Sequence, residues 1–197
     1  VHRIDKMTSG LVVVAKNDIS HQNLAKQFQN RIIDRKYEAF VWNNVIKNTG
    51  VIDTFIGRSS IDRKKMAVTS PKRGRKSITN YKLIKKFEMN GNFICHCECF
   101  LKTGRTHQIR VHMKHIGNPL IGDNVYCKNK MLKKDIPEHV KKIINYYFTN
   151  TGRHALHAKT IGFIHPESNK KMSFSSKLPK DMKKLEDLLN SNKKSQL

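Results

Sequence analysis

No stretch of the 197-residue chain is apolar for long enough to cross a bilayer, and no charged n-region followed by an apolar h-region marks a secretory signal. Membrane-spanning and exported classes are thereby set aside, and the cytoplasm is the expected compartment. Cysteine is scarce as well. Cys95, Cys97, Cys99 and Cys127 are the only four, and they form no framework that could staple a secreted fold, which points to a reducing compartment. Negative charge is scarcer still relative to its opposite: 15 Asp and Glu face 39 Lys and Arg, a formal charge of +24 and a pI near 10.1. Such a surface expects a polyanion. The positive charge runs through several segments instead of one amphipathic helix, so nucleic acid is favoured over a membrane surface. A lysine-rich composition would account for some of the lysine, less of the arginine. The chain has no internal repeat, and it lacks an initiator methionine and any lead-in, opening on Val1-His2-Arg3-Ile4-Asp5. It reads as starting inside a longer protein.

A 38% hydrophobic content supports the core of one domain. Gly10 to Ala15 reads as a buried strand, and Asn17 and Asp18 cap a helix with Leu24, Phe28 and Ile32 on one side. Lys36 to Trp42 and His154 to His165 read as further strands. Arg58 to Lys76 reads as an exposed basic loop or hairpin, broken by Ser, Pro and Gly. Asn92 to Leu101 alternates cleanly, with Phe93, Cys95, Cys97, Cys99 and Leu101 on one face, and feeds a Thr103-Gly104 turn. Helices are expected over Thr106 to Ile116, from Pro137 onward, and over Pro179 to Leu189, with a frayed tail after it. Strands and helices mix without strict alternation, which makes the class α+β.

Two segments could carry chemistry. Asp5 lies between Arg3 and Lys6, whose cations would hold it ionised as a nucleophile or base requires; an isolated loop Asp is otherwise most often a salt-bridged structural residue. The sequence His-Arg-Ile-Asp is not a kinase catalytic loop, since Asp does not follow Arg directly and no Asp-Phe-Gly is present. The second segment is Thr103-Gly104-Arg105-Thr106-His107-Gln108-Ile109-Arg110-Val111-His112. His107, Arg110 and Lys114 fall at helical spacing, and a guanidinium there could take a buried carboxylate or a phosphate bidentately, or else simply face solvent. Other groupings carry less. Alternate cysteines on a strand lie about 6.6 Å apart, too far for two thiolates each about 2.3 Å from one zinc, so the stripe reads as core. His107, His112 and His115 scatter around the helix, and Ser9 has neither a nucleophile-elbow context nor an obvious base. No metal site is expected.

His2-Arg3-Ile4-Asp5 with Thr8-Ser9-Gly10 before an apolar run resembles the catalytic motif of the RluA-type pseudouridine synthases. Arg35-Lys36-Tyr37-Glu38-Ala39, the Thr103 to His112 segment, Asn118-Pro119-Leu120-Ile121-Gly122-Asp123 and Ala155-Leu156-His157-Ala158 through His165-Pro166 resemble four further segments of that family. Asp62 to Val68 and Leu178-Pro179-x-Asp181-Met182 are most similar to its RluD branch, which modifies large-subunit ribosomal RNA. The resemblance implies a pseudouridine synthase catalytic domain over residues 1–189 and a tail over 190–197, with a central mixed or antiparallel sheet flanked by helices and N-terminal strands missing. It implies a monomer that isomerises uridine to pseudouridine in ribosomal RNA or its precursor, with no cofactor. Asp5 would be the essential carboxylate, Tyr37 the active-site tyrosine and Arg110 the ion-pair partner of Asp5. Arg3, Lys36, Arg105 and His107 would bind RNA. Whether Asp5 attacks the sugar at C1′ or removes the C2′ proton stays open, and a non-catalytic RNA- or ribosome-binding protein is the competing class.

Overall fold

A computed structural model describes residues 1–127 and 136–192. In chain order they form β1 (Ser9–Gly10), α1 (Asp18–Gln29), β2 (Asp34–Trp42), β3 (Thr49–Arg58), β4 (Met66–Thr69), β5 (Arg75–Met89), β6 (Asn92–Leu101), α2 (Gln108–His115), α3 (Glu138–Ile144), a π-helical turn at Asn145–Thr149, β7 (Leu156–Ile164), β8 (Lys171–Ser175) and α4 (Lys180–Asn192). The strands make one sheet in the order β1-β7-β2-β6-β5-β3-β4, with β8 also paired to β7. Only the short β1–β7 pairing is parallel. The class is α+β, as the sequence pattern implies, and the sheet is mixed, as the family resemblance implies.

The period-2 geometry of β2 and β6 explains how one sheet buries two cores. Phe40, Trp42 and Ile94 face α3 and α4, packing on Val140, Ile144, Met182, Leu185 and Leu189. Tyr37, Ala39, Val41 and the three cysteines of β6 face α2, packing on Ile109 and Met113. Cys95, Cys97 and Cys99 are fully buried in that core, and burial pushes the Cys97 thiol up and the Cys99 thiol up to about 12. Two side chains bolt helices to the sheet. His112 in α2 is hydrogen-bonded through one ring nitrogen to Thr54 Oγ1 (3.0 Å) and through the other to Thr79 Oγ1 (2.9 Å). Gln27 in α1 brackets Ile164, donating to its carbonyl and accepting from its amide.

Several expectations need correction. The run Gly10 to Ala15 is not a buried strand: Val12 and Val14 are 44% and 77% exposed. Only Ser9 and Gly10 pair with β7, because from Thr160 onward β8 occupies that edge. The first helix is capped by Asn17, whose side chain accepts from the Ser20 amide (2.8 Å), but it ends at Gln29, leaving Ile32 outside and exposed. The hairpin reading of Arg58 to Lys76, by contrast, holds: β4 pairs antiparallel with the end of β3 as an edge strand. α4 continues to Asn192, past the expected end at Leu189; residues 193–197 of the expected tail lie outside the described residues.

Candidate active site

The site is assembled from three segments set against Tyr37 of β2. The first is the N-terminal loop, where the Thr8 amide donates to the Asp5 carbonyl (2.9 Å) and closes a turn. Three long-range anchors hold it. Thr8 Oγ1 and His154 Nε2 share a 2.7 Å hydrogen bond. Arg153 donates through Nη1 to the Met7 carbonyl (2.8 Å) and through Nη2 to Ser9 Oγ (2.9 Å), while its Nε pairs with Asp181 in the first turn of α4. Ser9 Oγ also lies 3.0 Å from His157 Nδ1. A histidine that sequence reasoning did not find thus stands beside Ser9, and its geometry is that of a joint between β1 and β7.

The second segment leads into α2. Gln108 accepts from the Arg105 amide (3.0 Å) and Thr103 Oγ1 (2.8 Å), and donates to the Ile78 carbonyl (3.0 Å) and Thr79 Oγ1 (2.9 Å). One amide therefore satisfies both of its ends within the sheet and fixes the loop before the helix. His107 caps the helix in a left-handed conformation with φ 57°, and its Nδ1 is 2.8 Å from the Tyr126 hydroxyl. Arg110 sits one turn into the helix, 6% exposed.

The third segment supplies Asp123. Gly122 precedes it at φ 72°, and a Cβ there would fall 2.2 Å from the Arg153 carbonyl oxygen, so the close turn requires glycine. Arg110 donates through Nε and Nη2 to the two Asp123 oxygens, each at 2.8 Å, and through Nη1 to Asp5 Oδ2 at 3.3 Å. Asp123 Oδ1 also accepts from the Val125 and Tyr126 amides, both at 3.1 Å. Burial alone would lower the Arg110 pKa, but the bonds and charge of Asp123, reinforced by Asp5, carry it above the ordinary value. For Asp123 burial pushes upward, and Arg110 outweighs it, so the carboxyl is held below its usual range. Arg110 is thus a cation clamped by one buried carboxylate and offered to a second, Asp5, whose side chain is 20% exposed.

Asp5, Tyr37 and Arg110 line one cleft of about 460 Å³, together with Arg3, Arg105 and His107. Burial, with a smaller contribution from the Asp5 charge, raises the Tyr37 pKa against the opposing influence of Arg35, so Tyr37 is a neutral phenol at neutral pH. Arg105 donates from Nε to the Lys76 carbonyl (3.2 Å), leaving the rest of its guanidinium at the rim. Burial first, and Arg110 next, lower the His107 pKa. Lys36 does not line this cleft: one residue from Tyr37 on β2, it faces the other side of the sheet and pairs with Glu98 Oε1 at 2.9 Å. Sequence reasoning missed the roles of Asp123, Arg153 and Arg35. For Asp123 a signal exists, since an acid within the apolar turn Leu120-Ile121-Gly122 demands a buried cation.

Burial makes His154 costly to protonate, and Arg110 adds to the effect, lowering its pKa to about 4; burial does the same to His112. Both are almost wholly enclosed. Their folded pKa values lie below the unfolded value, so the unfolded chain binds more protons between pH 6.5 and 4, and stability falls as pH falls through that window. Each group contributes at most roughly 3 kcal/mol to the loss. Urea unfolding should therefore show the midpoint dropping already between pH 6.5 and 5, above the carboxylate range; a flat midpoint there would contradict the assignment of both histidines as neutral.

The fold is that of the pseudouridine synthases. The solved structure of human RNA Pseudouridylate Synthase Domain Containing 4 matches with a TM-score of 0.73 at 22% identity, over 96% of this chain and 74% of that one. The family model for RNA pseudouridylate synthase matches residues 1–115. Ribosomal large subunit pseudouridine synthase D of Zymomonas mobilis is 44% identical over 189 residues, which is 96% of this chain and 55% of that protein. The uncharacterized RNA pseudouridine synthase YlyB of Bacillus subtilis is 41% identical over 192 residues, 98% of this chain and 56% of that protein. The chain belongs to the RNA pseudouridylate synthase family, and within it is RluD-like. It spans about half the length of the curated relatives it matches.

Proposed function

We propose that this chain isomerises uridine to pseudouridine in RNA, with large-subunit ribosomal RNA as the substrate class. The observation that carries the reading is the Asp5 carboxylate, held by a doubly anchored Arg110 in a cleft that also presents Tyr37 and an arginine rim. Plain RNA binding requires no carboxylate at such a position. The names of the relatives support the reading, and the charge of +24 suits the polyanion.

The reaction breaks the N1–C1′ bond of uridine, turns the detached uracil and forms C5–C1′; the C5 proton passes to solvent and the freed N1 takes a proton from it. Atoms and electrons balance without oxidant or reductant. A uridine stacked in RNA must first be flipped into the cleft. Asp5 then acts on the ribose, either by attack at C1′ or by removing the C2′ proton; Arg110 holds and aims it. Tyr37 provides a stacking surface for the uracil, and as a phenol whose pKa is raised it is suited to relay the C5 proton. Arg3, Arg105 and His107 face the RNA at the rim, and Lys36 contributes only from outside the cleft. A monomer is the proposed acting form. No helix among the described residues is long and apolar enough to cross a membrane, and the cytoplasm, where ribosomal RNA of this class is made, is the proposed compartment.

Incubating the chain with large-subunit ribosomal RNA carrying tritium at uridine C5 tests the reading. Stoichiometric tritium release is expected, with affinity falling steeply as salt rises because phosphate contacts release counterions. Tight, salt-sensitive binding without release would sink the isomerase and leave the binding protein.

A further inference from the structure

Of the five arginines lining the cleft, Arg110 is neutralised by Asp123 and Asp5, whereas no carboxylate pairs with Arg3, Arg31, Arg35 or Arg105 among the described residues. Arg35 is the most enclosed of these four. Its Nε is buried without a hydrogen-bond partner, and its guanidinium lies 5.5 Å from the centre of the Phe28 ring, which in turn stacks on His2 at 4.6 Å. An unpaired, desolvated cation with a free donor costs stability unless a ligand satisfies it. Gly104 makes the space: a Cβ there would lie 2.6 Å from Arg35 Nη1. Arg31 stands at the rim on a left-handed backbone with φ 60°. Burial first, and then the like charges of Arg75 and Arg31, lower the Arg105 pKa, which shows how closely these cations crowd. Arg35 also shares a face of β2 with Tyr37, two residues away and therefore about 6.7 Å along the strand. That step is comparable to the reach from a pyrimidine ring to the phosphate of its own nucleotide.

Resting on the functional reading above for the role of Tyr37, we propose that Arg35, backed by Phe28 and flanked by Arg31 and Arg105, forms a phosphodiester subsite that grips the backbone of the nucleotide whose base lies on Tyr37. The guanidinium fork suits two phosphate oxygens, and Phe28 limits the freedom lost on binding. A contact of this kind carries no sequence information; it sets where the flipped nucleotide stops relative to Asp5.

Fluorescence anisotropy of a labelled 12-nucleotide oligouridylate, titrated with each protein across a salt series, tests it. Arg35→Gln is expected to weaken binding about tenfold or more and to reduce the slope of log affinity against log salt by about 0.7, the value for one phosphate contact on a single strand. Arg35→Lys should keep most of the slope. Gly104→Ala is the second variant: its methyl displaces only the far end of the Arg35 side chain, so the fold stays intact while affinity and slope fall as in Arg35→Gln. An oligoadenylate should report the same change in slope. An unchanged slope in both Arg35→Gln and Gly104→Ala overturns the subsite, whatever the affinity does. Tritium release by the unmodified chain is scored separately. Release with an unchanged slope sinks the subsite alone, and a reduced slope without release leaves a phosphate site on a protein that is not an isomerase.

Discussion

Asp5→Asn will lower tritium release from C5-labelled RNA by at least about 10³-fold, the scale seen when an attacking or proton-abstracting group is removed, and will leave the fold in place. The substitution keeps shape and removes charge. Its structural cost is small because Arg110 keeps both 2.8 Å bonds to Asp123 and so is never left as an orphaned buried cation. Asp5 itself is partly open to the cleft, and its bond to Arg110 is the longest of the three. RNA affinity should hold or rise, since a negative charge leaves a basic cleft. A variant that retained more than about a hundredth of the activity would remove Asp5 from the chemistry, however well placed it is.

Asp123→Asn produces the largest expected loss of stability. The carboxylate is 1% exposed and accepts four hydrogen bonds, two from Arg110 and two from the Val125 and Tyr126 amides. An amide would turn one acceptor into a donor aimed at a guanidinium and leave Arg110 uncompensated on its buried side. Breaking such a pair costs about 3–5 kcal/mol, which for a domain of this size lowers Tm by roughly 6–20 °C. Activity should fall as well, because Asp5 would then compete for a guanidinium free to turn. Thermal unfolding decides the point: a cost under about 1 kcal/mol would mean that Asp123 is a bystander.

Much of the central sheet was readable because β2, β6 and β7 alternate or run apolar in the patterns that buried strands need. β5 escaped for the opposite reason. Its buried positions include Ser77, whose hydroxyl donates to the Arg75 carbonyl, and Thr79, which is hydrogen-bonded to Gln108 and His112, instead of hydrocarbon, so the period-2 signal is diluted. The Val12 to Val14 run misled because β-propensity is local, while the edge it would join was taken by a strand some 160 residues later. In the site, Asp5, Tyr37 and Arg110 were legible as motif positions. Arg35 and Arg153 were not: one acts through the partner it lacks, the other through backbone and hydroxyl acceptors on a distant loop, and neither has a spacing that sequence can display.

The bonds that fasten the Asp5 loop join residues 105 to 148 positions apart, and the Arg153 bridge continues from there into α4. The antiparallel ladder from β5 to β6, by contrast, closes across a two-residue turn at Asn90 and Gly91. Loop-closure entropy therefore orders assembly, with hairpins cheap and the catalytic clasp dear. A chain folding toward this structure displays its basic surface well before it can position a carboxylate in it. On the proposed function, an immature molecule holds RNA, but RNA is modified only by one in which the first described residues have met the last helix.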